Sequence, residues 1–271
     1  MKVLLIMADA SMHKFWLFGR LRSAREAPLT LTTLAALAPA ELNIDFHLVD
    51  ESVDSVPLTD PADLVGISVL TGTARRAYAL AEHFRSRGIP VVLGGPHVTL
   101  LPGEACRHAD AIVMGMAEET WPQLLQDFAA GRMQKIYRQP PVEGQFLPGI
   151  PTPRYDLQRN SGYMMPYTVQ LTRGCVHKCD FCSVPAIYGG FYRRPVADII
   201  RDIRAIPARR FAINDVSPFD DVAYARELLT AMIPLKKKKE MGRPGNDADH
   251  RESGTAGFAA KERLPVPAAR L

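Results

Sequence analysis

No apolar run in this chain of 271 residues approaches the roughly 20 that a membrane-spanning helix needs, so no membrane partner is expected. The start of the chain, Met1-Lys2-Val3-Leu4-Leu5-Ile6-Met7, meets Asp9 too soon for a signal peptide, and a cytoplasmic location is the expectation. Cysteine is scarce. Three of the four cysteines fall within eight positions, which argues against a disulfide framework and for metal or redox chemistry. The fourth, Cys106, stands alone and reads as an ordinary, partly buried thiol. The body of the chain also lacks a charge surplus. Formal net charge is +4, but residues 236–271 hold nine Lys/Arg against five Asp/Glu, which leaves 24 of each sign in residues 1–235. No basic patch survives that subtraction, and no nucleic-acid partner is expected.

What is present is an α/β pattern. Short apolar runs at Val3–Met7, Ile44–Val49, Leu64–Ser68, Val91–Leu93 and Ala111–Met114 read as strands. Helical patterns at Leu29–Leu37, Ala74–Arg87, Pro102–His108 and Glu118–Ala130 lie between or after them. A flavodoxin-like, doubly wound parallel sheet over residues 1–138 follows, with its ligand crevice at the carboxyl ends of the strands. Turn residues mark that edge: Asp9, Thr71-Gly72, Gly94-Gly95 and Gly115. Residues 139–166 are rich in proline, with Pro140, Pro141, Pro148, Pro151 and Pro153, and read as a linker. A second α/β segment over 167–238 has strand Tyr167–Leu171, helix Val196–Ile206, strand Phe211–Ile213 and helix Val222–Ile233, which is two βα units.

The cysteine loop reads Cys175-Val176-His177-Lys178-Cys179-Asp180-Phe181-Cys182, after a strand and Thr172-Arg173-Gly174. Three thiolates on a short loop suit a [4Fe–4S] cube with one iron left open. A structural zinc site would need His177 to complete the set from within the same loop, and a ferredoxin would need a fourth cysteine nearby. The spacing Cys-x-x-x-Cys-x-x-Cys resembles the signature of the radical S-adenosylmethionine (SAM) superfamily. The resemblance implies a cluster on Cys175, Cys179 and Cys182 whose open iron binds the amino and carboxylate groups of SAM. An electron, from a donor such as flavodoxin or ferredoxin, then cleaves SAM to a 5′-deoxyadenosyl radical. It also implies that Phe181 packs near the adenine. Asn214-Asp215, at the end of the next strand, are candidates to reach the amino acid moiety of SAM, with a plain strand-end turn as the alternative. Arg193-Arg194-Pro195 resembles a Tyr-Arg-x-Arg-Pro stretch of such enzymes, although a surface role is the favoured reading.

In the first domain, Gly66-Ile67-Ser68-Val69-Leu70-Thr71-Gly72 and Leu93-Gly94-Gly95-Pro96-His97 resemble the Ser-x-Leu and Gly-Gly elements of cobalamin-binding domains. A small hydroxyl at Ser68 can bond the nucleotide tail, and glycines at 94 and 95 let backbone approach it closely. Ser68, Leu70, Thr71, Gly72, Gly94, Gly95, Pro96, His97 and Gly115 are therefore the cobalamin-binding candidates. Absent is the Asp-x-His-x-x-Gly motif whose imidazole serves as lower axial ligand in some cobalamin domains. The loop after the first strand reads Asp9-Ala10-Ser11-Met12-His13-Lys14 instead. His13 and His97 are thus read as turn or surface residues, and the lower face of cobalt is unassigned. This combination is similar to the cobalamin-dependent radical SAM family, which implies, for its methyltransferases, transfer of a methyl group from methylcobalamin to an unactivated carbon. The small-molecule substrate is not legible.

After Lys236-Lys237-Lys238-Lys239 the periodicity stops, and residues 239–271 hold no strand candidate and read as disordered. A lysine run followed by such text suggests a slipped reading frame at an adenine tract. Read one base later, with suitable synonymous codons, the same nucleotides can encode a strand, a helix and a strand. A barrel of two βα units is expected to seal a radical poorly from solvent, leaving the chain a weak or inactive catalyst. The alternatives at this point are a corrinoid-binding fragment without chemistry and a zinc-stabilised α/β protein.

Overall fold

The computed structural model describes residues 1–9, 14–17, 20–140, 142–147, 149–158, 161–235 and 238–241. His13, Pro141, Pro148, part of the lysine run and the stretch 242–271 lie outside the described residues.

The chain opens with strand β1 (Lys2–Met7), a hairpin of β2 (Lys14–Leu17) and β3 (Arg20–Glu26), and helix α1 (Thr30–Leu37). Next come β4 (Asp45–Asp50), β5 (Leu64–Ser68), α2 (Ala74–Ser86), β6 (Val91–Gly94), α3 (Pro96–Leu100) and α4 (Pro102–His108). Strand β7 (Ala111–Met114), helix α5 (Thr120–Ala129) and strand β8 (Ile136–Arg138) complete the first unit. Its sheet runs β4-β1-β5-β6-β7-β8 with every pair parallel. The five strands expected from the sequence thus stand in flavodoxin-like order, with β8 added at the edge.

The reason lies in burial on both faces. Every residue of β5 and β7 is buried, as is all of β1 after Lys2, so continuous apolar runs serve where an open sheet would alternate. Leu4, Ile6 and Ile67 face one helical layer with Leu80 and Phe84. Val3 and Leu5 face the other, with Leu31, Trp121 and Leu125. Helix α2 buries Ala77, Leu80, Ala81 and Phe84, the i, i+3, i+4, i+7 stripe that an amphipathic helix lays on a sheet. Strand β8 escaped the sequence reading because of its three residues only Tyr137 is buried.

The second unit starts with β9 (Tyr163–Met165), β10 (Thr168–Val169), β11 (Thr172–Gly174), α6 (Val184–Tyr188) and β12 (Phe191–Arg193). It continues through α7 (Val196–Ala205), β13 (Arg210–Ile213), α8 (Val222–Met232) and β14 (Glu240–Met241). Strands β10, β13 and β14 form a parallel sheet, and β11 pairs antiparallel with β12. Val169, Leu171, Ile199, Ile203, Phe211 and Leu228 make its core. The expected strand Tyr167–Leu171 ends at Val169, and Glu240–Met241 pairs with Arg210–Phe211 in a stretch read as having no strand.

The proline-rich stretch is pinned at several of its described residues. Strand β9 pairs parallel with β3, the Leu147 amide donates to the Arg193 carbonyl at 2.8 Å, and the Arg154 amide donates to the Thr32 carbonyl at 3.0 Å. The Tyr163 hydroxyl donates to the Asp50 carboxylate at 2.9 Å.

Phe84 is fully buried in the first of these layers. Phe84→Ala is expected to cost roughly 3–5 kcal/mol, through lost transfer energy and the cavity left behind, measured by urea denaturation. A loss below about 1 kcal/mol would contradict the packing described.

Candidate functional site

The carboxyl ends of β1, β5, β6 and β7 open on a cleft of about 470 Å³. From the first unit Ser68, Leu70, Gly94, Gly95, Pro96 and Gly115 line it, and from the second Gln170, Arg173, Ile187, Asn214 and Asp215. Six of the nine cobalamin candidates therefore share one wall. The conformation of Gly95 builds that wall. Its φ is +102°, and a Cβ there would sit 3.0 Å from the Val69 carbonyl oxygen and 3.2 Å from the Ser68 hydroxyl. Only glycine lets this turn close against Ser68. The Val69 amide donates to the Gly94 carbonyl at 2.8 Å, holding the two turns together. A hydroxyl beside side-chain-free backbone fits the inserted tail of a corrinoid.

The other three candidates do not line the cleft. Thr71 and Gly72 are exposed. His97, expected as a turn or surface residue, is 3% exposed. Its Nε2 lies 3.0 Å from the Tyr78 hydroxyl, and its Nδ1 lies 3.3 Å from Thr71 Oγ1. The Glu104 carboxylate is 3.5 Å from Nε2. Burial pushes the Tyr78 phenol up to about 12, with help from Glu104. The histidine is thus engaged within a polar cluster under the Gly94–Pro96 turn, which sequence spacing could not show.

The cysteine loop is held at its stem. The amides of Leu171 and Thr172 donate to the Asp215 carboxylate at 2.9 and 2.6 Å, and the Thr172 hydroxyl donates at 3.1 Å. Gly174, at φ +85°, passes so near β12 that a Cβ would lie 1.8 Å from the Gly190 carbonyl oxygen. Beyond it Cys175, Cys179 and Cys182 are free thiols, Cys179 exposed and the others half-buried. The His177 amide donates to the Cys175 sulfur at 3.4 Å, and the Cys182 amide donates to the Cys179 carbonyl at 3.0 Å. Among the described residues no three His, Cys, Asp or Glu side chains are gathered to hold one metal ion. The donor set suits an iron–sulfur cluster in kind and number, but the thiols do not converge here.

Three single residues have defined surroundings. Phe181 is 94% exposed and does not line the cleft. Asp215 lines the cleft but spends its carboxylate on the loop stem, whereas Asn214 lines the cleft from an exposed position. Arg194 is no surface cap. It is 2% exposed, pairs with the wholly buried Asp202 at 2.6 Å, and its carbonyl accepts from the Tyr224 hydroxyl at 2.6 Å. The partner, Asp202, was not singled out from the sequence, because nothing but its place on the buried stripe of α7 distinguishes it.

Two outcomes follow. Gly95→Ala is expected to lose about 1–3 kcal/mol in chemical denaturation, since alanine must adopt a left-handed φ against Val69 and Ser68. Asp215 gives a pH signature. Burial outweighs its hydrogen bonds and lifts the carboxyl from its ordinary 3.8 to about 6. Between those values the folded chain holds a proton the unfolded chain has lost, so this group's contribution to stability falls as pH rises from about 4 to 6. The fall is on the order of 3 kcal/mol, and Asp215→Asn should flatten it in denaturation curves taken across that window. Stability rising through the window because of Asp215 would contradict this account.

Residues 24–125 match the model of the B12 binding domain. A bacteriochlorophyllide d C-8(2)-methyltransferase of Chlorobaculum tepidum is 36% identical over 170 residues, 61% of this chain and 37% of that protein. A bacteriochlorophyllide d C-12(1)-methyltransferase of the same organism is 28% identical over 249 residues, 84% of this chain and 54% of the relative. The hopanoid C-2 methylase of Rhodopseudomonas palustris is 27% identical over 168 residues, 60% of this chain and 31% of that one. The chain thus spans about a third to a half of the length of these curated relatives. In fold it is similar to a radical S-adenosylmethionine methyltransferase, TsrM, from Kitasatospora setae, with a TM-score of 0.64 at 17% identity over 87% of this chain and 51% of that one. Residues 24–125 thus carry a B12-binding domain, and the chain as a whole is similar to cobalamin-dependent radical SAM methyltransferases.

Proposed function

We propose that the chain is a cobalamin-binding radical SAM protein of methyltransferase type, acting on an unactivated carbon of a small molecule. The observation that carries this reading is the shared cleft, lined at once by the strand-end turns of the B12-binding domain and by residues flanking the cysteine loop. Methyl transfer between a corrinoid and a radical generated at a cluster requires the two to face one space, and here they would. When bound, cobalamin would supply the methyl group and a [4Fe–4S] cluster the electron that cleaves SAM.

The roles of the residues follow from position. Ser68, Gly94, Gly95 and Gly115 would hold the corrinoid along the sheet edge, where missing side chains leave room for it. Cys175, Cys179 and Cys182 would ligate the cluster. Asn214 would meet SAM at the mouth of the cleft, while Asp215 fixes the stem of the loop. A small electron carrier such as a flavodoxin or ferredoxin would reach the cluster from the exposed side, where Cys179 and Phe181 stand. Among the described residues no helix is long and apolar enough to cross a membrane, and a cytoplasmic setting is part of the same proposal.

Anaerobic reconstitution with iron, sulfide and hydroxocobalamin tests the reading. The expected result is a corrinoid spectrum on the protein, iron–sulfur absorbance near 400 nm on the order of one cluster per chain, and, because two βα units shield a radical poorly, slow but detectable formation of 5′-deoxyadenosine on addition of SAM and reductant. Cys179→Ala should abolish the last two and leave the first. Corrinoid binding without any SAM cleavage by the wild type would leave only a binding fragment and overturn the proposal.

A further inference from the structure

Between the two walls of the cleft runs an ion pair that the cofactor assignments do not use. An Arg173 guanidinium nitrogen donates to the Glu118 carboxylate at 2.5 Å, and its second arm donates to the Gln170 side-chain oxygen at 2.9 Å. The two side chains are only 13% and 9% exposed. Both line the cleft, so the pair spans it rather than lying on the outer surface.

Its position in the chain matters more than its energy. Arg173 stands two residues before Cys175, with no slack on either side. Thr172 is clamped by Asp215, and Gly174 is wedged against the Gly190 carbonyl. On the facing wall, Glu118 lies three residues beyond Gly115, whose φ is +79° and whose amide donates to Thr99 Oγ1 at 2.9 Å. Its neighbour Glu119 has its amide bound by the Gln139 side chain at 3.1 Å. Each partner is therefore mounted on a fixed turn, one at the stem of the cysteine loop and the other at the edge of the cleft where the corrinoid would lie.

We infer that Arg173 and Glu118 are positioning residues that set the distance between the cysteine loop and the corrinoid edge of the cleft. The inference rests on the functional reading above for what the two walls carry. The physical basis is that a buried charge deprived of its partner is strongly unfavourable, so neither wall can shift without stranding a charge away from water. Arginine suits the task because its planar fork grips Glu118 and Gln170 at once, where a lysine would make a single point contact. The radical and the methyl donor must meet across this gap, and separation controls such a transfer steeply.

Amide hydrogen exchange on the full chain tests the pair without any need for activity. Glu118→Gln and Arg173→Gln are compared with the charge swap that combines Glu118→Arg and Arg173→Glu. Each single variant should raise exchange about tenfold in both segments 115–119 and 171–176, because releasing one wall frees the other. The swap should restore protection in both. Exchange that rises only in the segment carrying the substitution, or a swap no better protected than either single variant, would overturn the inference. If a single variant unfolds altogether, a folded and protected swap still supports the pair, and an unfolded swap counts against it. Corrinoid uptake, read separately from absorbance on the wild type, reports on the functional reading and not on the pair.

Discussion

A parallel sheet buried on both faces leaves its chain one place to do chemistry. With helices covering β1, β5, β6 and β7 above and below, side chains on the strands are committed to packing, and polar groups concentrate where the strands end. The cleft forms along that carboxyl edge, where Ser68, Gly94, Gly95 and Gly115 stand one after another on neighbouring strands. The second unit brings its own strand ends to the same space. Gln170 and Arg173 follow β10, and Asn214 and Asp215 follow β13, which pairs with β10 in parallel. Two sheets obeying one rule therefore meet at one site.

What the sequence made legible depended on how each element is stabilised. Strands β1, β5, β6 and β7 are written as apolar runs because their side chains are buried, and the three-cysteine spacing is written in the loop itself. The hairpin, β8, β9 and β14 are held largely through backbone pairing, which leaves little mark on residue choice. The single-residue roles failed for a different reason. Asp215 receives its donors from Leu171 and Thr172, more than 40 positions away, and Arg194 divides its guanidinium between Asp202, eight positions on, and the Gln170 carbonyl, 24 positions back. Local text named these residues as notable and could not say toward what they point. His97 is the same case, a histidine noticed in a turn and occupied by Tyr78 on another helix.

The buried Arg194–Asp202 pair shows how the second unit is tied to the proline-rich stretch that precedes it. The Thr152 hydroxyl donates to Asp202 at 2.8 Å, and Arg201 reaches both Thr152 and the Ile150 carbonyl. Prolines rigidify residues 150–154 and deprive them of amide donors, so side chains from α7 take over the bonding that a sheet would have supplied. Leu147 and Ile150 bury with Tyr192 and Met116, which carries the packing from the second unit back to the first.

The pairing of β3 with β9 has a consequence for the order of events as the chain is made. The Ser23 amide donates to the Gly162 carbonyl at 2.7 Å and the Ala27 amide to the Met165 carbonyl at 3.0 Å, so two segments far apart in sequence complete each other. During synthesis the flavodoxin-like sheet has all its strands well before residue 163 leaves the ribosome, while one edge of the N-terminal hairpin still waits for its neighbour. Contacts of such long range form late, and an unpaired edge meanwhile is a template for wrong partners. The docking of the second unit onto a finished first one is therefore a step at which an open edge stands exposed to misfolding.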